Sequence, residues 1–441
     1  MRKLKVLLVS HNHPAIRPGG AERYAFELYE AMRDSGDFEP TFLARSGPPD
    51  SATGRYHDGT FLAAAGDDSN QYLLYTDPSD YDWFYGRSRS KRVGGSLRDF
   101  LLAHKPDVIH FQHTVRIGYE AIRLCRNTLP DVPIVYTLHE FRPICNHSGQ
   151  MVRTGTNALC TESSPRRCHE CFPQISPQSF FMRERFIHSH LELVDQFLSP
   201  TEFLLERYVE WGIPREKMRF EPHGRPAPLG LATGEKQNIR NRFGFFGTLN
   251  AFKGPQILLE ALNILGESFE GHVWIHGSSL ELQPESFQQK MKDLLMPDGT
   301  TVTIGGGYDH DQLGGLMGNV GWVVVPSIWW ENSPLVIDEA FMHKRPVICS
   351  DIGGMAERVT EGINGLHFQH GSPHSLAEVM SRAVSELGLW EDLRSGIPAV
   401  HDMAKHLETL REIYDAHITR RWSELPEGGR TTAAVTGKSR G

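Results

Sequence analysis

The sequence has no uninterrupted apolar stretch of about 18 residues, so it offers no helix long enough to span a membrane. It also has no excess of positive charge. A formal charge of -8 supplies no phosphate-binding surface over the whole molecule, which argues against nucleic acid as a partner. The opening MRKLKVLLVS is too short in apolar residues for a signal-peptide core, because the run stops at Val9 and HNHP follows; it reads as a buried strand. Nucleotide-binding fingerprints are missing as well. In GFFGTLNAFKG, Phe252 stands where a P-loop needs its second Gly and Gly254 where it needs Ser or Thr, and GGGYDHDQ does not give G-x-G-x-x-G. Cysteine is scarce, with six in 441 residues. A cytoplasmic protein, at most peripheral at the inner face of the membrane, is expected.

What is present is a rhythm of short apolar runs and amphipathic stretches, which predicts parallel sheets wound with helices. The length predicts two domains of roughly 200 residues each. Strands are expected at LKVLLVS, PTFLA, DVIHFQ, PIVYTLH and QFLSP in the first half, and at RFGFFG, HVWIHG, TVTIGG, GWVVVP and PVICSD in the second. A Pro- and Gly-rich stretch near 222–240 reads as the linker, giving domains 1–225 and 226–400. Leu407, Leu410, Ile413 and Tyr414 have helical spacing, predicting a C-terminal helix over 401–422 that crosses back to the first domain. Residues 423–441 hold too few apolar side chains to pack, and a disordered tail is expected.

Two strand-to-helix turns are candidate anion sites. Gly19 and Gly20 precede a helix whose Ala25, Leu28 and Met32 share one face, and free N–H groups at such a start favour an anion. Lys253, beside Gly254 at another helix start, is a candidate diphosphate contact, with an exposed surface lysine as the plainer alternative. The stretch PSIWWENSPLVIDEA places Glu331 in a loop and Glu339 on the helix that follows. Pro334 suits the first helical position, with Asn332 or Ser333 as cap. Both acids then lie at the carboxyl end of a parallel strand, where open α/β sheets bind ligands and where a carboxylate can accept a sugar diol. For Trp329 and Trp330 two readings stand, a wall of the pocket or packing beneath the loop, with packing preferred.

The E-x7-E pattern after PSIW, followed by PVICSDIGGMAERVTEGINGLHF, resembles the retaining glycosyltransferases of family 4. The likeness runs from the Gly-Gly loop through TLH at 137–139, FLSPTEFLLERYVEWGIPREKMRFEPHG and GFFGTLNAFKG to about residue 385. It implies the GT-B fold, with two Rossmann-like domains facing across a cleft. A nucleotide-sugar donor, UDP- or GDP-linked, would sit mainly on the second domain, and a saccharide or lipid-linked acceptor on the first. By position, Glu331 and His139 would lie at the donor sugar, and Asn332, Ser333, Pro334 and Leu335 at its hydroxyls and diphosphate. Glu339 would bind the ribose, Lys253 the diphosphate, and Gly19 and Gly20 would approach from the other domain. No cofactor is implied for the chemistry. Many relatives have Arg where Thr248 stands, so that one diphosphate cation is either missing or supplied elsewhere, with Arg225 as the candidate, and His223 reads as a loop residue at the domain junction. A nucleotide-sugar epimerase or hydrolase of the same fold, or a donor-binding subunit without catalysis, are the rival readings.

Cys125 and Cys349 fall in a helix and a strand and read as buried thiols. Cys145, Cys160, Cys168 and Cys171 form C-x14-C-x7-C-x2-C in an irregular insert at about 142–176. A structural zinc is the leading reading; free or redox thiols, a disulfide and an iron–sulfur site stay open. His147 and His169 are spare ligands. Asp80 and Asp82 spell D-x-D away from any strand end. Trp83, Phe84 and Tyr85 with the bases up to Arg92 form a candidate contact with anionic lipid over 81–92, a solvated loop being the plainer alternative.

Overall fold

The computed structural model describes residues 2–17, 19–47, 62–65, 70–227, 239–295 and 302–424. Of the tail anticipated over 423–441, residues 423 and 424 continue the last helix instead, and 425–441, with most of the linker, 228–238, lie outside the described residues. The first sheet contains β1 (Leu4–Ser10), β2 (Phe38–Ser46), β3 (Leu62–Ala64) and β4 (Gln71–Tyr75). A two-stranded hairpin of β5 (Tyr81–Asp82) and β6 (Arg87–Ser88) interrupts it. It resumes with β7 (Val108–Phe111), β8 (Ile134–Thr137), β9 (Gln196–Ser199) and β10 (Met218–Phe220). The second sheet is β11 (Arg242–Phe246), β12 (His272–His276), β13 (Val302–Gly306), β14 (Trp322–Val325), β15 (Val347–Ser350) and β16 (Gly365–Phe368).

The strand orders are β10-β9-β8-β7-β1-β2-β4-β3 and β13-β12-β11-β14-β15-β16, parallel throughout except for β3 against β4. Continuous apolar runs explain this. Strands β7, β8, β14 and β15 are buried at every residue, as strands covered by helices on both faces must be. Each sheet therefore carries a core on either side. In each, chain order reverses beside the first strand, between β1 and β7 and between β11 and β14. Those two switch points are where loops diverge and leave a crevice at the carboxyl edge. Together the sheets give the two-domain GT-B architecture.

The last helix, Met403–Glu424, packs Met403, Leu407, Leu410, Ile413 and Tyr414 into the same cluster as Leu4, Val6, Leu8 and Leu28 of the first domain. Three contacts tie the domains near the crevice. Glu357 accepts the backbone N–H groups of Glu202 and Phe203, both at 2.8 Å, so a carboxylate of the second domain caps a helix of the first. Trp330 lies 4.9 Å from the Phe203 ring and donates its indole N–H to the Cys160 carbonyl at 2.9 Å. Asn332 donates to the His139 carbonyl at 2.6 Å.

Candidate functional site

A cavity of about 650 Å³ opens between the two carboxyl edges. It is lined by Gly19, Gly20, Arg23, His139 and His223 from the first domain and by Lys253, Tyr308, Trp329, Glu331, Asn332, Ser333, Pro334, Leu335 and Glu339 from the second. Residues separated by more than 300 positions thus share one wall because both switch points face the same space.

The second-domain half is built from the loops after β11 and β14. Gly254 lets them meet: its φ is +74°, and a Cβ there would fall 1.8 Å from the Pro326 carbonyl oxygen. Asn250 caps the short turn Ala251–Lys253 by accepting from the N–H groups of Phe252 and Lys253. Lys253 is thereby aimed at Glu331, with Nζ 2.6 Å from Oε1. Ser327 Oγ at 2.8 Å and Trp329 Nε1 at 2.9 Å donate to the same oxygen. Three donors on one carboxylate oxygen fix its position in a 5% exposed site. The two tryptophans divide their work: Trp330 packs against Phe203, the preferred sequence reading, whereas Trp329 belongs to the cavity wall, the alternative one.

The helix begins at Leu335, not at Pro334. Pro334 is its N-cap, and neither Asn332 nor Ser333 caps it, because Asn332 is drawn across to His139. The first N–H groups of this helix lack helical partners and face the cavity side, opposite the start of helix Gly20–Ser35, whose N-cap Gly19 provides no side-chain cap. Gly20 comes close to the facing helix start: a Cβ there would lie 3.8 Å from Leu335 Cδ1. Two positive helix ends thus converge on one space.

Glu339 is 7% exposed, and burial raises its carboxyl above the usual range against the pull of Arg225 and Arg23. Arg225 does not reach the cavity. It is 3% exposed, with Nη1 2.6 Å from Glu27 and Nη2 3.5 Å from Glu339, which corrects its expected place as a diphosphate cation. Arg23, one turn into helix Gly20–Ser35, is the guanidinium on the cavity wall, 3.7 Å from Glu339 and 3.3 Å from Glu27. Sequence reasoning missed it, although its position four residues after Gly19 on that helix was a usable signal.

His139 Nε2 lies 3.0 Å from Gln112 Oε1, and burial, with His113 and His11 nearby, holds its pKa down at about 3. It is a neutral hydrogen-bonding group at physiological pH. The His223 ring sits 5.0 Å from it and 3.9 Å from Tyr24, and burial pushes His223 well below its ordinary pKa too. Behind them Tyr24 OH lies 2.7 Å from His406 Nε2, whose Nδ1 is 2.7 Å from Glu221. Glu221, His401 and His406 are the one group of three His, Cys, Asp or Glu ligand atoms within 4.8 Å of one another among the described residues. Both nitrogens of His406 are already engaged, so the trio is a hydrogen-bonded clasp between the linker, helix Met403–Glu424 and Tyr24.

Cys145, Cys160, Cys168 and Cys171 line one small cavity with His147, yet no three of their sulfur atoms meet that 4.8 Å spacing. Cys168 and Cys171 share a face of the helix Pro165–Cys171, and Cys160 Sγ lies 3.1 Å from the Glu162 carbonyl. His169 turns away, with Nδ1 2.8 Å from the Ile175 carbonyl. Cys125 and Cys349 are buried as free thiols. Asp82 is taken up by Arg87 and Arg89 and by the N–H groups of Phe84 and Tyr85. Segment 81–92 is a hairpin and a helix start rather than a loop. Phe84 packs on Phe180, and Trp83 is 39% exposed.

Residues 18–226 match the family described as Glycosyltransferase Family 4, and residues 240–386 match Glycosyl transferases group 1. An uncharacterized glycosyltransferase of Methanocaldococcus jannaschii is 28% identical over 174 residues, 37% of this chain and 43% of that one. The lipopolysaccharide 1,2-N-acetylglucosaminetransferase of Salmonella typhimurium is 24% identical over 213 residues, 43% of this chain and 53% of that one. The chain thus spans about half the length of these relatives. Among solved structures, Anabaena HepE in complex with UDP superposes with a TM-score of 0.66 at 16% identity, covering 94% of this chain and all of that one. No helix among the described residues is long and apolar enough to cross a membrane.

Proposed function

Since the chain belongs to the family 4-like glycosyltransferases of GT-B fold, we propose that it moves a sugar, with retained anomeric configuration, from a UDP- or GDP-sugar to a hydroxyl of a saccharide or lipid-linked acceptor. Polysaccharide or glycoconjugate synthesis in the cytoplasm is the setting this reaction fits. The observation that carries the reading is the convergence, in one cavity, of the Lys253–Glu331 pair, two helix starts, Arg23 and Glu339.

Breaking the bond between the anomeric carbon and the phosphate oxygen leaves positive charge on the sugar and negative charge on the diphosphate. Lys253, Arg23 and the amides at Leu335 and Gly20 suit the diphosphate, being preorganised at the positions where charge grows. Glu331 and the neutral His139 suit the sugar, and the carbonyl-anchored Asn332 and Ser333 its hydroxyls. Glu339, beside Tyr308, suits the two ribose hydroxyls. The acceptor hydroxyl attacks from the face the diphosphate leaves and passes its proton to the departing phosphate oxygen, so no carboxylate need act as base. Structures of HepE with UDP and with UDP-glucose lend support at the level of the fold.

Thermal-shift screening of UDP-, GDP- and ADP-sugars, followed by assay of nucleotide release with the best donor, tests this reading; no stabilisation by any nucleotide overturns it. In the insert, the four thiols around one cavity support a structural zinc. Metal analysis decides it: a folded protein free of zinc removes that assignment.

A further inference from the structure

A second cavity, of about 500 Å³, lies at the carboxyl edge of the first sheet. Its walls come from the segments after β1, β7 and β8, at the switch point between β1 and β7. Three guanidinium groups, of Arg17, Arg116 and Arg142, line it against one carboxylate, Glu22. That carboxylate is already committed: His11 Nε2 lies 2.8 Å and Asn12 Nδ2 2.9 Å from its Oε1. The nearby Glu140 is similarly held by His113 Nε2 at 2.9 Å. Three guanidinium groups thus stand against two carboxylates, Glu22 and Glu140, an excess of positive charge.

Two of the arginines are fixed by aromatic stacking. The guanidinium carbons of Arg142 and Arg116 lie 5.0 Å and 5.5 Å from the Trp83 ring centroid. Arg142 Nε is buried with no hydrogen-bond partner, its nearest acid, Glu140, standing at 3.6 Å. Arg116 is 5% exposed and has a φ of +63°, a left-handed backbone that a side chain with Cβ adopts at a cost. Burying arginine, and paying for its backbone, is consistent with a site that receives an anion rather than a solvated surface. A planar guanidinium fork matches carboxylate and phosphate oxygens.

Resting on the reading that the first domain takes the acceptor, we infer that this cavity binds an acidic group of that acceptor, a sugar carboxylate or a phosphate. Its place fits the transfer. Gly19 and Gly20 line the donor cavity, while Arg17 and Glu22, on the same loop and helix turn, line this one. A saccharide anchored here by its acid would reach past that loop to the donor sugar.

Calorimetric titration of the full chain with methyl glucuronide, glucose 1-phosphate and neutral methyl glucoside, with and without UDP, tests the inference. One of the acidic probes should bind at least about tenfold tighter than the neutral one, and raised salt should weaken it. Whichever acid prevails identifies the group as carboxylate or phosphate. Arg142→Gln should weaken that probe about tenfold; the exposed Arg17→Gln gives a second reading should the partly buried Arg142 variant fail to fold. Equal binding of neutral and acidic probes, no binding of either acid, or variants that bind as wild type would overturn it. A chain that binds the acid but not UDP would instead break the donor reading, so the two failures are distinguishable.

Discussion

Lys253 Nζ stands 2.6 Å from Glu331 Oε1, joining the loop after β11 to the loop after β14 across the switch point of the second sheet. The pair is held by the protein's own groups, since Ser327 and Trp329 donate to the same oxygen. Replacing Glu331 by Gln keeps its shape and removes its charge. Turnover should fall by roughly 10²–10³, the scale of losing one preorganised electrostatic group. Donor affinity, measured by titration, should change far less; turnover within a factor of two of wild type would refute the assignment.

Glu339→Ala should weaken nucleoside diphosphate binding by about 1–3 kcal/mol through lost ribose hydrogen bonds. A 2′-deoxy nucleotide should bind the variant and the wild type more equally than the ribonucleotide does, because the lost partner is the same. If the deoxy and ribo forms lose equal affinity, Glu339 does not read the ribose.

Arg23 and Arg225 should separate cleanly. Arg23→Gln removes a partly exposed cavity cation, and is expected to lower nucleotide affinity, more at low salt than at high, with little change in melting temperature. Arg225→Gln removes the buried one of the two cations shared by Glu27 and Glu339, leaving only the partly exposed Arg23 beside them, and melting temperature should drop first. Reversal of these outcomes would return the diphosphate role to Arg225.

The clasp behind the site predicts acid sensitivity. Burial alone would raise the Glu221 carboxyl, but hydrogen bonds from His401 and His406 outweigh it and hold it at about 2. A depressed carboxyl stabilises the fold fully above its unfolded value of about 4.5, and that contribution is lost as pH falls toward 2. Glu221→Gln should thus lower the melting temperature at pH 7 and lose its effect near pH 2; an equal drop at both pH values would contradict the linkage.

All ten strands read from the sequence occur, because apolar runs buried on both faces leave a clear pattern. The short strands β3, β4, β10 and β16 and the hairpin β5–β6 were missed; β3 has no buried residue, β4 just Leu74 and β10 just Met218, so these three lack the buried apolar run that marks most of the others. Within the site, Glu331, Glu339, Lys253, Gly20 and His139 were legible from motifs and do share one cavity. Arg23 was missed although it lies one turn after Gly19 on the same helix; that it meets Glu339 depends on the two domains facing each other. The exchange of Arg225 for Arg23 has the same origin: spacing shows a cation near the junction, but only packing shows which one is buried against Glu27. Trp329 and Trp330, adjacent in sequence, could not be told apart until β14 set their opposite directions.

The central claim is transfer of a sugar from a nucleotide to an acceptor. It is tested most directly by following nucleoside diphosphate release from the donor that binds best, with and without saccharide acceptors, for wild type and Glu331→Gln. Release that accelerates with one class of acceptor, yields a glycoside with the donor's anomeric configuration and fails in the variant is the predicted result. Release at one rate whatever the acceptor, or binding with no turnover at all, would contradict it.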